Sequence, residues 1–245
     1  MTHALDWGQY GDLQRGDYER AQLWVERMAP IAANNSAQAR VVSALPRVRA
    51  RYILETRQWR TQPVTDASTA PELLATGLSA VQLEDFALAA QAADALAVLA
   101  DAAAAKESFY HRQTAPLQIM HKQVAGARLI GVGQVEAGFA LLQESAQIAE
   151  QMPLPRGAAN PIKPAHEFYG EALLKAEQPA EAAAQFKVLL TRMPNRPLSL
   201  LGLARAQVAL GDRESARETY GQLAQVWQGR DFPELQEAQP FLARR

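Results

Sequence analysis

Between Lys163 and Trp227 the small and the large apolar positions recur at one interval. Gly170 and Ala204, Ala182 and Ala216, Phe186 and Tyr220, and Leu189 and Leu223 are each thirty-four residues apart. A period of that length, filled with helix-forming residues, predicts a repeated pair of antiparallel helices. The residue types fit the packing such a pair needs. Gly170, Ala204, Ala182 and Ala216 permit close approach of the two helices of a unit, while Phe186 and Tyr220 fill the wedge between units. The turns agree with this reading. Pro179 is preset for a first helical turn, and Gly211 is free to adopt the left-handed conformation that ends a helix.

The same pattern extends upstream in weaker form. Leu5 to Ala29 reads as a hairpin turned at Gln14-Arg15-Gly16-Asp17, with Asp17 as the cap of its second helix. A polar linker is expected over 31–37 after Pro30, then a helical stretch over 36–58 that Pro46 should kink or split, then a long loop over 61–69. Gly77, Ala89 and Leu96 restore the repeat offsets, with Thr69 or Ser68 as a cap. Gly126, Gly138 and Leu142 do so again, in a helix from Glu107 to Leu129 with Pro116 inside it and a partner running to Gln151. The prolines between Met152 and Pro164 exclude a continuous helix there. Asp231-Phe232-Pro233-Glu234 predicts a capping box opening a last helix that covers the end of the stack.

The expected fold is therefore all-α, a right-handed superhelical array of helical hairpins forming one domain over 1–245. Its units lie near 2–30, 36–60, 70–104, 119–151, 163–196 and 197–228, with a cap at 231–244.

Laid on a known pattern, Lys163 and Pro164, the pair Tyr169-Gly170, then Ala182, Phe186 and Pro194 resemble the tetratricopeptide repeat. His3 to Trp7, the Ala50-Arg51-Tyr52 helix ending at Trp59, Pro164 to Glu167, Arg192 to Arg196 and Ala204 to Ala206 further resemble the C-terminal portion of longer, largely uncharacterised bacterial repeat proteins. Members of that group carry upstream repeats and often an export signal, so the resemblance implies a truncated or domain-length relative. It implies protein binding and supplies no activity.

Composition narrows the possible chemistry. The 245 residues are 48% hydrophobic and carry 25 basic against 26 acidic side chains, a net charge of −1 that offers no field for nucleic acid or an anionic membrane. No apolar run is expected to approach the roughly 18 residues that span a bilayer. No signal peptide is evident at Met1 to Ala4, so a cytoplasmic location is expected for the chain as written. The absence of cysteine removes thiolate catalysis and Cys-ligated zinc. His3, His111, His121 and His166 are too dispersed for a zinc spacing, and Gly131-Val132-Gly133 lies between helices rather than after a strand. No cofactor and no catalytic constellation are expected.

In arrays of this kind the first helices of the units line a concave face. Their inward offsets nominate Leu74, Leu78, Gln82, Gln123, Glu167, Glu171, Lys175, Leu201 and Arg205 as a groove for a peptide or partner protein. Glu167 and Glu171 disfavour capture of a peptide carboxylate, and Glu171 with Lys175 reads either as an ordinary solvated helix pair or as part of the partner-binding surface. The alternative is a small-molecule or metal pocket, or an active site, between the 152–164 segment and the groove, with His166, His121 and Glu167 nearest to it. The first hairpin presents Trp7, Tyr10, Leu13, Trp24 and Met28 with no capping helix before it, which predicts self-association through Leu5 to Met28.

Overall fold

A computed structural model describes residues 2–107, 113–155 and 159–243. These form thirteen helices and, among the described residues, no strand. In chain order they are α1 (Thr2–Gln14), α2 (Tyr18–Asn34), α3 (Ala39–Val42), α4 (Ala44–Thr56), α5 (Ala70–Gln82), α6 (Phe86–Ala104), α7 (Thr114–Gly131), α8 (Val135–Gln151), α9 (Ala165–Lys175), α10 (Pro179–Arg192), α11 (Pro197–Ala209), α12 (Arg213–Val226) and α13 (Pro233–Leu242). Neighbours in sequence pack against each other from α4 to α13, so the expected array of hairpins is the fold.

The local chemistry explains where helices start and stop. Asp17, Asp85 and Asp212 each cap a helix by accepting from the backbone N–H three residues on, at 3.2, 3.0 and 3.1 Å. Before α5, the Glu72 carboxylate accepts both the Thr69 backbone N–H (2.9 Å) and its hydroxyl (2.6 Å). Gly16, Gly133 and Gly211 take positive φ in three of the hairpin turns, as their position after a helix requires.

Four local expectations are corrected. α2 runs through Pro30 to Asn34, so most of the anticipated linker is helical. α7 begins at Thr114 and Glu107 lies outside it, which puts Pro116 in the first turn, where its missing N–H has no intrahelical partner to lose. The first cap residue of α13 is Phe232, whose side chain has no acceptor to cap with and whose ring instead packs on Tyr18 (5.3 Å between centroids) and Trp227 (4.8 Å). Finally, α6, with 19 residues, is long and apolar enough by length and composition to cross a membrane. It is nonetheless packed between α5 and α7, with Ala89, Ala92, Ala93, Leu96 and Ala100 buried. Pro46, by contrast, does divide its stretch: Ser43 separates α3 from α4.

The wedge residues sit as the repeat requires. A Cβ on Gly170 would stand 2.9 Å from the Phe186 ring, and one on Gly202 would overlap it, so both glycines make room for that side chain. One core gathers Leu73, Leu74, Leu78, Leu96, Val124 and Ile162, and another gathers Leu198, Leu201, Tyr220, Leu223 and Trp227.

The array does not stay open. α4 packs against α1 and α2, and the turn between α1 and α2 meets the segment joining α12 to α13. There Arg230 donates to the Arg15 carbonyl (3.1 Å) and to the Asp17 carboxylate (2.9 Å), beside the stacked Tyr18 and Phe232 rings. The first hairpin is thereby covered from within: Leu13 and Met28 are 1% and 0% exposed, and the Trp24 indole donates to Asp12 at 2.6 Å. Only Trp7 of the five residues expected to form a sticky end remains exposed, at 45%.

Candidate functional site

A buried cluster of charges joins the end of α4 to α9 and to the start of α11. Glu167, in the first turn of α9, is fully buried, and both of its carboxylate oxygens are saturated. Oε1 accepts from Lys163 Nζ (3.0 Å) and Arg196 Nη2 (2.8 Å), and Oε2 accepts from Arg196 Nε (2.6 Å) and Ser199 Oγ (2.6 Å). Arg196, the residue before α11, also donates to Glu55 at the end of α4. Burial alone would raise the Glu167 pKa, but the charges of Arg196 and Lys163 outweigh it and hold the carboxyl far below the usual range. Burial likewise opposes the charged forms of Lys163 and Arg196, and their carboxylate partners reverse the shift, raising both. Glu171 and Arg57 extend the cluster at its edge, so that the cations Lys163, Arg196 and Arg57 face the anions Glu55, Glu167 and Glu171 and their charges balance.

A third buried cation supports the first hairpin. Arg51 of α4 pairs with Asp6 at 2.8 Å and donates to Gln9 Oε1 (3.0 Å) and the Ala159 carbonyl (2.8 Å). α4 thus holds α1 on one side and the segment before α9 on the other.

Next to the Glu167 cluster opens a groove of about 440 Å³. It brings together six of the nine nominated residues, namely Leu78, Gln82, Glu171, Lys175, Leu201 and Arg205, over apolar walls from Leu54, Trp59, Phe168 and Leu174. The other three lie elsewhere. Glu167 is sealed beneath the groove, because the N-terminal elements fill the space a helical groove would otherwise leave open. Leu74 and Gln123 line a separate cavity. Glu171 is not the solvated partner of Lys175. Its carboxylate lies 2.8 Å from Lys163 Nζ and 3.6 Å from Arg57, which leaves Lys175 exposed at the groove mouth. Arg205 is engaged bidentately by Glu237 of α13, both contacts at 2.8 Å, and Tyr220 donates to the same carboxylate.

The separate cavity, about 540 Å³, is bordered by Met152, Pro153 and Pro155 after α8. It is walled by α5, α7, the end of α10 and residues 160–166. Of the residues considered for an alternative site, His166 borders this cavity, with Nδ1 2.7 Å from Gln185 Oε1. Glu167 belongs to the enclosed ion cluster. His121, on α7, has its pKa lowered by burial and by adjacent Lys122. His111 lies outside the described residues. Among the described residues no three His, Asp or Glu side chains are grouped to hold a metal ion.

The sequence pattern found neither Arg196 nor Glu55 nor Arg57. Arg196 stands directly before a helix-opening proline, the only local signal it carries; the partners it meets are separated from it by 29 and 141 residues.

Residues 173–239 match the family model described as the tetratricopeptide repeat. No curated protein matches the chain. The match begins within α9 and extends into α13, and it takes in Phe186 and Gly202, which pack on each other. Over residues 173–239 the chain is similar to the tetratricopeptide repeat.

Proposed function

We propose that the chain is a non-enzymatic protein–protein interaction module that receives a peptide or a partner surface in the groove between α5, α9 and α11. The groove itself carries this reading: apolar walls lie beneath a mouth bearing the exposed polar side chains Gln82 and Lys175. An apolar floor with a polar rim is the composition of a recognition surface. Six residues nominated from repeat offsets border one cavity, which supports the assignment of this face.

The test uses the two rim residues that do not belong to the ion cluster. Capture of partners from the source cell is compared between the wild type and a Gln82→Lys, Lys175→Glu variant whose helical circular dichroism is unchanged. Selective loss of a partner from the variant supports the groove, and equal recovery of every partner removes it.

A further inference from the structure

We propose that the cavity walled by α5, α7, the end of α10 and residues 160–166 binds a small anionic amphiphile, a molecule with an apolar body and a single carboxylate. This site lies apart from the groove, and its existence does not depend on the groove having a partner. Its volume of about 540 Å³ falls within the roughly 300–1,000 Å³ of small-molecule pockets. The walls are apolar, with Leu117, Ile119, Met120 and Ile162 among them. Among the described residues, the cavity's charged lining is entirely cationic: Arg47, Lys163 and Arg192.

Those cations differ in availability. The ammonium of Lys163 is committed to Glu167 and Glu171, and the Arg192 guanidinium donates to the carbonyls of Ala149 (3.0 Å) and Met152 (2.8 Å). Arg47 is different. Its nearest carboxylate, Asp6, is 3.6 Å away and is already paired with Arg51 at 2.8 Å, and the Arg47 side chain remains 34% exposed. Glu150 stands near His166 Nε2 at 3.5 Å but is not part of the lining. Gln123, fully buried on the wall, holds its amide by donating to the Lys163 carbonyl (3.1 Å) and keeps Oε1 unpartnered. An apolar chamber whose one uncommitted ion among the described residues is a guanidinium selects an apolar chain ending in an anion, because the guanidinium gains a charge-assisted hydrogen bond while the chain leaves water.

The probes are decanoate, decan-1-ol and decyltrimethylammonium, titrated by calorimetry into the full chain below micelle-forming concentrations. Decanoate is expected to bind at one site, the alcohol more weakly, and the cation not at all. Arg47→Gln should weaken decanoate by about tenfold, the loss of one charge-assisted contact, and leave the alcohol unchanged. Leu117→Trp, which fills the chamber, should abolish binding of both. Absence of decanoate binding to the folded wild type overturns the proposal, as does equal binding of the anionic and cationic probes. Should Arg47→Gln fail to fold, retained binding by folded Leu117→Trp is sufficient to overturn it.

Discussion

At the scale of single residues, the buried ions decide more than the hydrophobic wedge does. Glu167 cannot be removed without leaving Lys163 and Arg196 buried and short of a partner, and breaking such a pair costs about 3–5 kcal/mol. Glu167→Gln is therefore expected to lower the melting temperature by about 10 °C in scanning calorimetry. The same group sets a pH dependence. Its folded pKa is depressed from 4.5, so its stabilisation is present above that value and is lost as pH falls below it. Lys163 is raised from 10.5, so its contribution is present below that value and is lost as pH rises through the folded pKa. Urea midpoints should be level near neutrality and fall at both extremes, and Glu167→Gln should flatten the acid limb. A midpoint in the variant that still falls as steeply in acid would assign that limb to other carboxylates. Gly202→Ala drives a methyl into the Phe186 ring and should cost about 1–3 kcal/mol. The glycine and aromatic roles were legible in the sequence because they repeat at a fixed interval. The ion cluster was not, because its members come from three elements and each looks locally like a surface charge.

At the scale of elements, hairpin boundaries follow from capping residues, turn glycines and prolines, and these are local signals that a sequence displays openly. What stayed hidden is long-range packing. Phe232 reads as part of a capping box, yet it serves as the contact between the start and the end of the array. α6 has the composition of a membrane span, yet it is one helix among packed neighbours. The groove candidates divide for the same reason: offsets within one repeat say which side a residue faces, but not which distant element covers it. The contact made by Phe232 and Arg230 is testable by hydrogen exchange. Replacing both with alanine should speed exchange in the turn between α1 and α2, where Gly16 and Asp17 lose their cover, and leave α7 and α8 unchanged. Acceleration spread evenly over the chain would mean that the two ends are not a separate latch. Uncoupling α13 from α11 by Glu237→Ala, which deletes a half-exposed pair to Arg205, should cost only about 1 kcal/mol and appear as local fraying of the last helix.

At the scale of the whole molecule, an array whose ends meet has different properties from an open one. Its groove is bounded by the N-terminal elements as well as by the repeats, and its first hairpin does not need a second copy of the chain to hide Leu13 and Met28. A partner entering the groove meets a preformed rim rather than a flexible arm, which limits the ordering it must impose on binding. The absence of native cysteine makes the closure directly accessible to chemistry. Cysteines placed at Arg15 and Asp231, both on exposed positions flanking the Arg230 contact, can be treated with a short bismaleimide at low protein concentration. Closure predicts rapid, near-complete cross-linking within single chains; slow labelling without cross-links, or links formed only between chains, would contradict it.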